Sequence, residues 1–235
     1  MKDILGMALL DYYNNAYTED IIFTTNISEE DEMPLPYLFR DYTEMPNIEQ
    51  RALQNAKGTV LDIVCGVGNR ALYLQNKGLD VLAIDVSKGA IDIAKKRGVI
   101  HATQTELLAL TERRFDTILL LSNGTGVFGS LKNIAKHLQH LKTLLSSGGQ
   151  ILIDSTDLRY MYDQQEGQDA IWIPADRYYG ELSCTLSYKG ELSDSFAWLY
   201  LDSHLFENAA KASGFTFEII EQGDHFDYLA KLTIA

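Results

Sequence analysis

Cysteine is scarce in this chain, and so are basic charge and long apolar runs. Only two of its 235 residues are cysteine, Cys65 and Cys184. No C-x-x-C or Cys/His ligand spacing accompanies them, so no disulfide framework or structural zinc site is expected, and no metal is expected elsewhere. Such usage fits a reducing compartment, and a cytoplasmic location is the expectation. Basic residues number 20 against 33 acidic ones, a net charge of −13. A surface that acidic repels phosphate backbones, so nucleic acid is not an expected partner. Lys95-Lys96-Arg97 and Arg113-Arg114 are the only basic clusters, and they read as solvated helix ends or loops. No run approaches the roughly 20 apolar residues of a membrane span. Ile4–Leu10 is apolar but short, lacks a basic leader and runs into Asp11, so neither a span nor a signal peptide is read there. Internal repeats and low-complexity segments are also missing. Oligomeric state is not legible.

What is present suits one soluble α/β domain with additions: 46% hydrophobic and 23% charged residues over a length that can bury a sizeable core. The chain is organised around Thr59–Asp85. An apolar run, Thr59–Ile63, breaks at Gly66 and Gly68. A helix-like segment follows, and a second apolar run ends at Asp85. This is a βαβ unit with a nucleotide-sized crevice at its strand ends. Glycine lets backbone approach a ligand where a Cβ would collide. Asp85, at the tip of the second strand, can accept hydrogen bonds from both hydroxyls of a ribose.

On these residues the stretch resembles the core of class I S-adenosylmethionine (SAM)-dependent methyltransferases. Their first motif runs Asp-x-Gly-x-Gly-x-Gly, with an acid ending the next strand. Asp62, Cys65, Gly66, Gly68 and Asp85 match in type and spacing. Val64 stands where that family usually has its first glycine, and a non-glycine backbone conformation is expected there. The resemblance covers about Pro46–Asp157 and Ser203–Ala235. It implies a three-layer α/β sandwich with a mostly parallel seven-stranded sheet that ends in an antiparallel hairpin. An N-terminal helical extension and a small antiparallel insertion are added to it. The implied division is 1–45 as an extension or lid, 46–169 as the SAM-binding core, 170–201 as a substrate-side insertion and 202–235 as the rest of the core.

The resemblance also implies a cofactor-binding set. Asp62 faces the methionyl end, and Val64, Cys65, Gly66, Gly68 and Asn69 form the turn. Asp85 serves the ribose, and Val86 beside it belongs to the same cofactor-binding set. Glu106, flanked by Thr105 and Leu107, takes the place beside the adenine, where a plain helix-start glutamate is the other reading. Ser122, Asn123 and Gly124 close in from the fourth strand, Phe115–Leu121, a continuous apolar run as expected of a buried parallel strand. The Asn/Asp-Pro-Pro-aromatic signature of nucleic-acid amino methylation is missing.

Elsewhere the chain divides by simple signals. Lys2–Tyr17 reads as a helix, with Asp3 at its favourable end. Its tyrosines Tyr12, Tyr13 and Tyr17 suit either core packing or a lid. Thr18–Met33, with the acidic run Glu29–Glu32, reads as a loop. Arg40 is either an anion contact or a helix-end arginine. Helices are expected over Pro46–Ala56, Arg70–Asn76, from Ser87 as N-cap to Arg97, over Leu131–Leu145 and over Ser203–Ala212. Val99–Ala102 and Gln150–Asp154 are expected strands. His137 and His140 read as ordinary helix-face residues. Glu181–Tyr188 and Phe196–Leu201 read as antiparallel strands. The insertion's aromatics, Trp172, Tyr178, Tyr179, Tyr188, Trp198 and Tyr200, suit either a substrate wall or the insertion's own core. Phe215–Glu221 and Phe226–Thr233 form the closing hairpin about Gln222-Gly223-Asp224.

Gly66–Ala71 also fits the loose dinucleotide pattern G-x-G-x-x-G/A. Three features oppose nicotinamide: the charge of Asp62 inside the strand, the lack of a second mononucleotide half, and the closing hairpin. The expected activity is SAM-dependent methyl transfer to a small-molecule acceptor, by in-line displacement. Asp154, Asp157, Tyr160 and His204 are candidate bases near the rim. Other SAM-fold chemistry, such as aminopropyl transfer, and a non-catalytic SAM-binding role stay open at this stage.

Overall fold

The computed structural model describes residues 2–28, 30–162 and 177–235. Glu29 of the acidic run, the polar stretch Gln164–Asp169 and Trp172 lie outside them. In chain order the elements are α1 (Ile4–Tyr13), β1 (Ile21–Thr25), β2 (Asp31–Met33), α2 (Leu35–Leu38), α3 (Asn47–Asn55) and β3 (Thr59–Ile63). Next come α4 (Asn69–Asn76), β4 (Asp80–Asp85), α5 (Lys88–Lys96), β5 (His101–Gln104), β6 (Phe115–Leu120), α6 (Ile134–Thr143) and β7 (Leu145–Thr156). The chain closes with β8 (Glu181–Tyr188), β9 (Glu191–Leu192), β10 (Phe196–Leu199), α7 (Ser203–Ala212), β11 (Phe215–Gln222) and β12 (Asp227–Ile234).

Seven strands form one sheet in the order β11-β12-β7-β6-β3-β4-β5. From β5 to β7 in that order the strands run parallel, and β12 alone is reversed, antiparallel to both β7 and β11. The expected mostly parallel sheet with its closing hairpin is therefore found. Apolar side chains alternate to the two faces of each central strand. Leu61, Ile118 and Ile151 pack with Leu138 and Leu141 of α6 and Phe206 of α7. Val60, Leu119 and Leu152 pack on the other side with Ile48 of α3, Leu74 of α4 and Ile91 of α5. Both faces are buried, which explains why these strands read as continuous apolar runs. Strand order reverses between β3 and β6, and an open α/β sheet places its ligand crevice at such a switch point.

A second antiparallel sheet runs β10-β8-β1-β2, with β9 on β8. Its strands come from both ends of the core: β1 and β2 from the N-terminal extension, β8 to β10 from the insertion. Thr18–Met33 is therefore not a plain loop. Ile21–Thr25 is short, without period-2 alternation, and its partner β8 lies about 160 residues away in sequence, so local pattern alone does not reveal it. The acidic Asp31 and Glu32 sit on the outer strand β2, where charge discourages pairing with another chain.

α1 is fastened rather than loose. Asp3 caps it through Gly6 N–H at 2.9 Å, and its other carboxylate oxygen accepts from Ser87 Oγ at 3.0 Å and Gly89 N–H at 2.9 Å. One acid thus ties the starts of α1 and α5 together. A Cβ at Gly89 would overlap the backbone of Gly6, so α5 needs glycine where it crosses α1. At the far end Asp11 binds Tyr188 and Lys189 of the β8 end. Several boundaries also differ from expectation, among them the end of α1, at Tyr13 rather than Tyr17. β5 begins two residues later than expected, and β7 extends back to Leu145 through Gly148, whose φ of +73° bends the strand rather than ending it.

Candidate cofactor crevice and acceptor face

Two strand ends meet at the switch point, and both turn in the left-handed region. After β3, Val64 has φ +57°, Gly66 +55° and Gly68 +83°. After β6, Ser122 has φ +70° and Asn123 +57°. Val64 therefore adopts the glycine-type conformation itself, contrary to the non-glycine geometry expected there. That is an outlier for a β-branched residue and costs on the order of 1–2 kcal/mol. The two glycines differ in purpose. A Cβ at Gly66 would meet nothing within 4 Å, so this glycine borders open space. A Cβ at Gly68 would strike Val99, so that glycine serves the packing of α4 on α5. Cys65 is buried and its thiol is pushed far up by burial, which makes it inert. Asn69 binds Leu38 O at 2.8 Å and Arg97 at 2.5 Å, so it braces the turn from outside.

Asp62 is fully buried on the α3/α4 face of β3. Its Oδ1 accepts from Arg70 Nε at 3.0 Å, while Oδ2 has no hydrogen-bond partner among the described residues. Burial raises the Asp62 pKa, and Arg70 opposes that rise. Arg70 also reaches Glu49 Oε1 at 3.2 Å, Ser122 Oγ at 3.2 Å and Val64 O at 2.6 Å. Burial alone would lower the Arg70 pKa, but Asp62 and Glu49 hold it above its ordinary value. Arg40 completes the chain on Glu49 Oε2 at 2.6 Å, which makes it a structural ion-pair partner. Sequence reasoning passed over Glu49 and Arg70. The available signal was physical: a carboxylate inside a buried strand requires a buried counter-charge.

The ribose and adenine candidates gather on the other side of the turn. Asp85 is buried, and its two oxygens accept from Gly66 N–H and Ser87 N–H, both at 2.9 Å. A carboxylate has about four lone-pair sites, so acceptor capacity remains. Val86, beside it, is 64% exposed, an unusual position for an apolar residue at a strand end. Gln104 Nε2 donates to Val86 O at 3.0 Å, and Thr105 N–H donates to Asp85 O at 3.0 Å. Glu106 is exposed next to them. Leu107 is instead buried in the core, and its carbonyl is bonded to His140 Nε2 at 2.9 Å.

Beyond β6 and β7 lies a polar and aromatic face. Asp154 is buried under the β6 turn and accepts from the N–H groups of Ser122, Asn123 and Gly124 at 3.1, 3.1 and 2.7 Å. Burial pushes its pKa up to about 6 against the pull of those amides. Asn123 Oδ1 accepts from Thr156 Oγ1 at 2.6 Å, tying the same turn to β7. Asp157 accepts from Tyr179 OH at 2.8 Å, and Asp202 from Tyr178 OH at 2.7 Å and Tyr179 OH at 3.3 Å. Burial drives Tyr179 up to about 12, so its phenol stays protonated at neutral pH. Trp198 of β10 lies against Gly126, where a Cβ would overlap its indole, and this contact seats the small sheet on the rim. Tyr160 stacks on Phe226 with centroids 5.0 Å apart. His204 is exposed and bonded to Asn208 one turn along α7, and no hydrogen bond joins it to the Asp157–Tyr179–Asp202 cluster among the described residues.

The comparisons agree with this geometry. A profile of the methyltransferase-domain family matches residues 37–218. A SAM-dependent methyltransferase from Bacteroides fragilis, solved with S-adenosyl-L-homocysteine, is 39% identical. That alignment covers 100% of this chain and 95% of the other at a TM-score of 0.91. The CcbJ methyltransferase from Streptomyces caelestis (14% identity, 81% and 90% coverage, TM-score 0.63) and DesVI from Streptomyces venezuelae (17%, 85% and 92%, 0.55) share the fold alone. No curated protein matches the sequence. A reversing seven-stranded sheet, a glycine turn, an acid at the next strand end and a 39% identical relative lead to one conclusion: the chain belongs to the class I SAM-dependent methyltransferases.

Proposed function

We propose that this chain binds SAM between the β3 and β6 turns and transfers its methyl group in line to a small-molecule acceptor. The observation that carries the reading is the set of acceptors gathered around the β3 turn. Asp62 Oδ2 is buried without a partner among the described residues, Asp85 keeps spare acceptor sites, and Gly66 borders open space. That set fits a ligand with an ammonium group at one end and a ribose at the other. The S-adenosyl-L-homocysteine in the Bacteroides fragilis relative supports the same ligand here. Its sulfonium form supplies an already activated methyl carbon.

The protein's contribution is then mainly orientation and exclusion of water. Asp62 accepts from the ammonium and Asp85 from the ribose hydroxyls. Val86 offers an apolar ledge to the adenine, with Thr105 and Glu106 at its edge. Asp154 does not face the acceptor as a free base: it fixes the Ser122–Gly124 turn by holding three amides. Asp157, coupled to Tyr179, is the better placed proton acceptor at the β7 end. The small sheet seated through Trp198 beside this rim supports an acceptor of limited size.

Incubation with SAM and a panel of small amines and alcohols, read by mass spectrometry, tests this. Formation of S-adenosylhomocysteine together with an acceptor 14 mass units heavier is the expected result. Release of methylthioadenosine would instead indicate transfer of the aminocarboxypropyl group of SAM and overturn the methyl-transfer reading.

A further inference from the structure

Arg70 touches both turns that flank the switch point. Its guanidinium holds Asp62 Oδ1 and Glu49 Oε1, and it reaches across to Val64 O at 2.6 Å and Ser122 Oγ at 3.2 Å. Val64 and Ser122 are both non-glycine residues in the left-handed region, with φ of +57° and +70°. Glycine would take such a conformation without steric cost, and valine does not. A strained conformation persists only where its surroundings fix it. The short charge-assisted bond to the Val64 carbonyl is the contact that does so. The same guanidinium occupies one oxygen of Asp62 and leaves the other, Oδ2, buried and without a partner among the described residues. Glu49 and, behind it, Arg40 keep the guanidinium in place.

Resting on the cofactor reading above, we infer that Arg70 is a positioning residue for the cofactor and substitutes for the missing first glycine of the turn. It locks Val64 and Ser122 in ligand-ready conformations and turns Asp62 Oδ2 into the acceptor for the ligand's ammonium. An arginine fork can satisfy these acceptors together, and a lysine ammonium cannot.

The test compares wild type, Arg70→Lys, Val64→Gly and the double variant. Titration calorimetry with S-adenosylhomocysteine is read alongside melting of the ligand-free proteins. Arg70→Lys is expected to weaken binding about tenfold, the scale of one lost charge-assisted bond, and to lower the melting temperature. Val64→Gly alone is expected to stay within about threefold of wild type, since glycine adopts the turn unaided. In the Val64→Gly background, Arg70→Lys is expected to cost less than about threefold and a visibly smaller drop in melting temperature. Equal losses in both backgrounds would overturn the inference, because a merely buried charge is indifferent to residue 64. Should Arg70→Lys fail to fold, a folded double variant supports the clamp and an unfolded one overturns it. Wild type that fails to bind S-adenosylhomocysteine would sink the cofactor reading, while the ligand-free melts still decide the clamp.

Discussion

The carboxylates of the crevice have distinct tasks set by their surroundings. Asp154 shows this most plainly. It is buried, forms no ion pair among the described residues, and is supported by three backbone amides. Its pKa of about 6 lies above the ordinary carboxylate value of 3.8, so the folded state holds the proton more tightly than the unfolded one. Stability linked to this group is therefore complete below about pH 4 and lost as pH rises through about 6. A rise of that size is linked to roughly 3 kcal/mol of stability. Denaturant melts of wild type and Asp154→Asn from pH 4 to 7 check it. The stability of wild type relative to the variant is expected to fall across that window, and a flat difference contradicts the assignment. Asp62 and Asp85 were legible in the sequence because an acid within or at the tip of an apolar strand stands out against its neighbours. Arg70 and Glu49 were not, because each looks like an ordinary helix charge until the fold brings α3 and α4 over the same face of β3.

At the scale of elements, one close approach helps to seat the small sheet on the core. Trp198 of β10 lies against Gly126, in the turn that follows β6. Gly126→Ala forces the indole away and is expected to cost about 1–3 kcal/mol by overpacking. Affinity for S-adenosylhomocysteine is expected to hold within about threefold, while turnover of an acceptor drops. Thermal melts, calorimetry and a product assay together read this split, and loss of cofactor binding with turnover intact contradicts it. The elements of the core were readable from local chemistry. Ser87 caps α5 by accepting from Ala90 N–H at 3.1 Å, as its position before an apolar face implied. Asp3 caps α1. β1 and β2 were hidden because β1 has its other partner, β8, far along the chain, and neither short strand shows the period-2 alternation that separates a strand from a loop.

At the scale of the whole molecule, the N-terminal extension and the insertion are one structure rather than two appendages. β1 of the extension pairs with β8 of the insertion, and α1 packs its Ile4, Ala8 and Leu9 with Ile93 of α5 and Tyr188 of β8. A detachable lid would leave the core intact when removed. Deletion of residues 2–33 is instead expected to expose the β8 edge and the apolar face of α5, and to yield aggregated protein. Size-exclusion chromatography of the truncated chain checks this, and a soluble monomer that still binds S-adenosylhomocysteine contradicts it. The mostly parallel sheet and its closing hairpin followed from the family resemblance that the glycine turn carries, and the buried parallel strands stood out as apolar runs. The shared second sheet did not, since it depends on pairing across the whole core. The central claim is that the crevice between β3 and β6 holds SAM with Asp85 on its ribose. Calorimetry with S-adenosylhomocysteine on wild type and Asp85→Ala tests this most directly. One site per chain in wild type, weakened tenfold or more in the variant with its fold retained, is the expected result, on the scale of about 1.5–3 kcal/mol per hydrogen bond to a charged group. Undiminished affinity in the variant, or no binding to wild type, would contradict it.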